Sequence, residues 1–195
     1  MSPALISSPS VLPEQRLLFP GKHSWGQFKV LEALVRAEYP GVRLFYLDGC
    51  IELMTISPEH ELLKSILEAL LVSFFCQQQI NAVPMGSATL QSEAQSSSAE
   101  PDLSYRFDGE MGLPELAIEI ALSSGGTEKL ARYQKVGISE VWFWQNERLE
   151  LYHLEAGEYQ TIVQSQCLPN LDLELLADCL KLKNLLAAMQ AFQSR

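Results

Sequence analysis

The stretch Leu116-Ala117-Ile118-Glu119-Ile120-Ala121-Leu122 constrains the fold more than any other part of the chain. An apolar run this short, with no polar alternation, reads as a strand buried on both faces. Such a strand needs cover above and below, so layers of helix or sheet must pack on each side of it. One charge interrupts the run: Glu119. A buried carboxylate must be paired, metal-bound or neutralised, because its isolated charge is costly in an apolar medium. Taken alone, Glu119 is open to two readings. It faces solvent or pairs with a lysine, or it binds a cation.

The rest of the chain can supply the cover. Helical periodicity begins after Ser24, a candidate N-cap, with Trp25, Phe28, Leu31, Leu34 and Val35 on one face, and Pro40-Gly41 ends it. Apolar segments 42–46 and 51–54 flank Asp48-Gly49, a hairpin signal. A second helix is predicted from about residue 58 to 77–79, with Leu62, Leu63, Ile66, Leu67, Leu70 and Leu71 as a core stripe. Short strands are predicted at 82–85 and 88–91, a Ser-rich loop at 92–100, and a strand with alternating faces at 103–107. Beyond the loop Ser123-Ser124-Gly125-Gly126, a helix over 127–136 ends at Gly137. A hairpin follows at 141–144 and 149–153 around Asn146-Glu147, then a strand at 159–163 and a helical region over 173–192. This order predicts a mixed α/β or α+β fold with helices around a central sheet. It forms a single domain over 24–195, preceded by a flexible Ser- and Pro-rich arm at 1–23.

Composition narrows the class. With 47% hydrophobic residues the 195-residue chain is too apolar to be disordered. Its apolar runs are too short to span a membrane. Residues 1–13 carry no Lys or Arg ahead of a hydrophobic stretch, so no signal peptide is expected and a cytoplasmic location is. Cys50, Cys76, Cys167 and Cys179 lack metal-finger spacing and read as free buried thiols. His23, His60 and His153 lie far apart, which excludes a zinc site built from Cys and His alone. The formal charge of −10 counts against a nucleic-acid partner, since phosphate binding usually shows as a basic footprint.

Glu119 has company. Asp102 follows Pro101 just before another predicted strand, 17 positions upstream. Two adjacent strands could bring these carboxylates to one point, and Mg²⁺ takes about two carboxylates with waters and substrate oxygens. Lys129 falls 10 positions after Glu119, in the first turn of the next helix. There it could bind phosphate, stabilise developing charge or position a water. Read alone, it could equally be a solvated lysine balancing Glu128 or Glu119. The aromatic run Trp142-Phe143-Trp144 reads as packing rather than base stacking. The apolar stripe of Leu176, Leu180, Leu185 and Met189 reads as a dimer contact or a docked terminal helix.

These residues, in order, resemble the PD-(D/E)XK nuclease superfamily, and within it the Uma-two group of endonucleases. The resemblance rests on Asp48-Gly49-Cys50-Ile51-Glu52-Leu53-Met54, Ser57-Pro58-Glu59-His60, Pro101-Asp102 with Ile118-Glu119-Ile120, and the segment from Glu128 through Lys129 and Tyr133 to Trp142. It covers about residues 25–163. It implies a restriction-endonuclease-like core, a central mixed sheet flanked by helices with a divalent cation at the ends of two strands. By carry-over, Asp102, Glu119 and the Ile120 carbonyl would bind Mg²⁺, with Mn²⁺ as a substitute. Lys129 would be the catalytic lysine. His60 would reach the site from its helix, with Glu59 and Glu61 as competing carboxylates. Two departures stand out. The superfamily's usual lysine, two positions after the glutamate, is Ala121 here, so Lys129 must substitute. The segment before Lys129 is short and has no acid between Glu119 and Glu128.

The resemblance therefore implies a metal-dependent endonuclease hydrolysing DNA phosphodiester bonds. The alternative is a catalytically degenerate nuclease fold used for binding or assembly, and a homodimer through the C-terminal helix is open in either case. With the acid excess, DNA contact would come from Lys129, Arg132 and Lys135 together with the cation.

Overall fold

Alternation along the strands and a 3.6-residue stripe along the helices sort the described residues into two sheets and five α-helices. The computed structural model describes residues 15–39, 41–107, 112–122 and 127–194. Strand β1 (Arg16–Leu18) lies within the expected arm and pairs antiparallel with β3 (Cys50–Thr55); residues 1–14 lie outside the described residues. Helix α1 (Trp25–Glu38) starts on a capping box in which the Ser24 hydroxyl accepts from the Gln27 amide and Gln27 Oε1 accepts from the Ser24 amide. Strand β2 (Val42–Leu47) turns into β3 through Asp48 and Gly49, both at positive φ, as a type I′ hairpin demands. Helix α2 (Pro58–Gln78) has Ser57 as N-cap and Pro58 in its first turn.

The remaining strands are β4 (Val83–Pro84), β5 (Leu90–Ser92), β6 (Ser97–Ala99), β7 (Leu103–Arg106), β8 (Leu116–Ala121), β9 (Glu140–Gln145), β10 (Arg148–Glu155) and β11 (Glu158–Ile162). A 3₁₀ turn (Thr127–Lys129) leads into α3 (Leu130–Val136), which Gly137 closes at φ 87°. Helices α4 (Leu173–Lys181) and α5 (Leu185–Gln193) finish the fold.

The strands make an antiparallel sheet, β1-β3-β2-β6-β5, and a mixed sheet, β11-β10-β9-β8-β7-β4, whose β8 and β9 run parallel. This is an α+β fold. Its central mixed sheet is as expected, but a second sheet covers one face where helices alone were expected. The chain passes between the sheets at Glu100-Pro101-Asp102, and Pro101 has no N–H to continue a ladder.

On one face, β8 and β9 present Ile118, Ile120, Trp142 and Trp144 to α2, α4 and α5. On the other, Ala117, Val141 and Phe143 meet Tyr133 of α3, Leu90 and Ala99. The outer side of the antiparallel sheet packs Leu44, Tyr46 and Ile51 against Phe28 and Val35 of α1.

Several local expectations change. The polar stretch 92–100 holds β6, because Ser97 and Ser98 are buried and pair with Leu47 and Tyr46. Strand β7 has no exposed alternate face: Leu103, Ser104 and Tyr105 are all buried between neighbouring layers. Leu34 is exposed, since α1 buries only a narrow stripe. The C-terminal helical region breaks at Lys183, whose φ of 49° no helix tolerates, and Asn184 caps α5. Leu176 and Leu180 of α4 dock into the chain's own core, while Leu185 is half exposed. Of the four cysteines only Cys179 is buried; Cys50, at the start of β3, and Cys76, on an outer face of α2, are exposed. The segment 123–126 lies outside the described residues.

Candidate active site

Strand register builds the site. β7 and β8 pair antiparallel with Leu103 opposite Ile118, and the Asp102 amide donates to the Ile118 carbonyl at 3.0 Å. The same register continued by one step sets Asp102 beside Glu119. Asp102 Oδ2 accepts from the Ile120 amide at 2.6 Å. Along β8 the two-residue period puts Glu119 on the face of Ala117, which looks toward α3 and the second sheet.

Each carboxylate is held by donors from a different element. Lys129, from the 3₁₀ turn, donates to Glu119 Oε2 at 2.7 Å, and the Tyr133 hydroxyl, one helical turn later, donates to Oε1. His60, in the first turn of α2, donates from Nε2 to Asp102 Oδ1 at 2.8 Å. Arg43, on β2, pairs with the same Asp102 oxygen. The cluster is closed to solvent: Asp102 is 0%, Glu119 1% and Lys129 5% exposed.

Electrostatics tie the two carboxylates into one unit. Burial pushes the Asp102 carboxyl up, but the His60 hydrogen bond and the charges of Arg43 and Lys129 outweigh it and hold the group at about 2. Burial likewise works against the Arg43 guanidinium, which Asp102, Glu119 and Glu100 hold in its charged form. Burial and the neighbouring Glu119 raise the Tyr133 phenol well above its ordinary value, so it stays a donor.

A second ion cluster stands next door. Glu52 on β3 accepts from Arg132 of α3 and from Arg16 of β1. Burial pushes the Glu52 carboxyl up, yet Arg132 and Arg16 bring it below its ordinary value. Phe45, opposite Glu52 in the hairpin, lies under both cations, with Lys129 Nζ 5.5 Å and the Arg132 guanidinium 4.8 Å from its ring. One aromatic ring thus links the two clusters.

Asp102, Glu119, Lys129 and His60 come together, and Ile120 joins through its amide. Glu59 and Glu61 do not; they pair with Lys183 and Lys64. Arg132 is buried and pairs with Glu52, and Lys135 pairs at the surface with Asp48 of the β2–β3 turn. Sequence reasoning missed Arg43, Glu52, Phe45 and the role of Tyr133. For Tyr133 a signal existed, because Lys129 and Tyr133 sit four apart on one helical face. Trp142, Phe143 and Trp144 are core.

Among the described residues no group of three or more His, Cys, Asp and Glu is arranged to hold a metal ion. Asp102 and Glu119 still offer the two hard carboxylates that Mg²⁺ takes, so their donor chemistry fits a divalent ion. No helix among the described residues is long and apolar enough to cross a membrane.

Residues 25–184 match the model of a family described as "Putative restriction endonuclease", Uma2. No protein of curated function matches the chain.

Proposed function

Since this chain belongs to the Uma2 family, we propose that it is a metal-dependent endonuclease that hydrolyses DNA phosphodiester bonds. The observation that supports this best is the meeting of Asp102 and Glu119 from two strands, with Lys129 2.7 Å from Glu119. Asp102 and Glu119, with the Ile120 carbonyl, are the residues that would hold Mg²⁺ or Mn²⁺. A divalent ion there supplies Lewis acidity for the scissile phosphate and a lowered pKa for the attacking water. Lys129 brings a positive charge to the side of Glu119 and offsets negative charge that develops on the phosphate. His60 fixes the orientation of Asp102, and Tyr133 that of Glu119. A cytoplasmic setting suits exposed cysteines such as Cys50 and Cys76 that form no disulfide.

Supercoiled plasmid tests the reading. The parent protein is expected to nick it in Mg²⁺ but not in EDTA, and Glu119→Gln and Asp102→Asn to nick about 100-fold more slowly. Variants as fast as the parent would sink it.

A specific observation also favours a second reading, a degenerate nuclease fold used for binding. Ala121 stands where the superfamily lysine would be, and Arg43, His60, Ile120, Lys129 and Tyr133 already satisfy the carboxylates. Calorimetry with Mn²⁺ separates the two, because a binding module of this kind gives no heat. A homodimer would have to use exposed residues such as Leu182, Leu185 and Leu186 rather than Leu176 and Leu180, and light scattering decides it.

A further inference from the structure

Arg43 stands on a boundary. Its side chain is 7% exposed, and on one side its guanidinium pairs with Asp102 and lies in the field of Glu119 and Glu100. On the other side it lines a cavity of about 650 Å³ between α1, β2 and the start of α2, together with Glu32, Ser57, Glu61 and Glu100. Asp102, Glu119, Lys129 and His60 do not line that cavity. Arg43 both faces this space and binds the buried Asp102.

Two carboxylates, Asp102 and Glu119, face two fixed cations, Arg43 and Lys129. A divalent ion added to that set would meet like charge at short range in a poorly screened interior. Removal of the guanidinium leaves Asp102 Oδ1 with the His60 contact alone and takes away one unit of positive charge. The cavity can receive it, since Glu100 already lies in its field and Glu32 and Glu61 line the same wall.

We propose that Arg43 is the resident counter-cation and gate of this site. A divalent cation enters from the cavity beside α1 and settles at Asp102 and Glu119 by displacing the Arg43 guanidinium. The proposal rests on those two carboxylates being the metal pair. It adds that Arg43 sets how weakly metal binds.

Titration calorimetry with Mn²⁺ on the parent, Arg43→Gln and Arg43→Lys tests it. Arg43→Gln, which removes the competing charge, should bind Mn²⁺ about tenfold more tightly than the parent. Arg43→Lys, which keeps the charge, should stay within about threefold of the parent. Equal or weaker binding by Arg43→Gln overturns the gate. If all three bind alike, the gate falls and the metal pair stands; if none binds, both fall. Should Arg43→Gln fail to fold, NMR on the parent gives the answer. The Arg43 Nε–H resonance, assigned by its absence from the Arg43→Lys spectrum, should move when Mg²⁺ is added. A resonance that stays in place at saturating Mg²⁺ overturns the proposal.

Discussion

Glu119 depends on two donors from one short helical segment, Lys129 and Tyr133. Removing one partner of a buried ion pair costs about 3–5 kcal/mol, because the remaining charge is left bare. Lys129→Met should therefore lower the unfolding free energy in urea melts by about 3 kcal/mol. It should also slow plasmid nicking about 100-fold. Asp102 makes a separate prediction about acid. Its folded pKa is depressed from 3.8 to about 2, so the stability it contributes is complete above 3.8 and is lost as pH falls through about 2. Circular dichroism in that window should show the parent losing stability more steeply than Asp102→Asn, which has no such group to titrate. Glu119 was legible in the sequence because a charge inside an apolar strand demands a partner. Arg43 and Glu52 were not, since both lie in an ordinary hairpin and their partners Asp102 and Arg132 are 59 and 80 positions away.

Elements with strong periodicity were readable and those held by polar contacts were not. Helix α2 carries an apolar stripe through every turn, and the Asp48-Gly49 turn fixes β2 and β3 by backbone geometry alone. Strand β6 had no such signal. Its serines are buried by pairing with β2 and by the Ser97 hydroxyl donating to the Arg132 carbonyl, contacts that exist only in the assembled fold. Strand β8 also makes a test of its own periodicity. Residues two apart share a face, so Ala121 lies on the side of Glu119. A lysine introduced there should stand in for Lys129. In a Lys129→Met background, Ala121→Lys should recover nicking about tenfold or more over the single variant. No recovery would mean that this face of β8 does not extend the site as far as residue 121.

The whole molecule is two sheets closed over charged residues from both. The antiparallel sheet brings Arg43, Phe45 and Glu52; the mixed sheet, with its crossover helix, brings Glu119, Lys129, Arg132 and Tyr133. The acid excess of the chain does not reach this centre, where carboxylates and cations are matched. Sequence alone could find the mixed sheet through the β8 pattern, but not the second sheet's place over it, which depends on contacts between distant segments. Metal binding should be felt by the entire fold. At a Mn²⁺ concentration 100 times its Kd the native state gains about 2.7 kcal/mol, which in a chain of this length raises Tm by about 8 °C. Glu119→Gln should show almost none of that rise. The central claim is that Asp102 and Glu119, from neighbouring strands, form one metal centre. Diffraction at the manganese edge from a crystal soaked in Mn²⁺ tests it most directly. An anomalous peak bonded to both carboxylates is the predicted result; a peak away from them, or none, would contradict it.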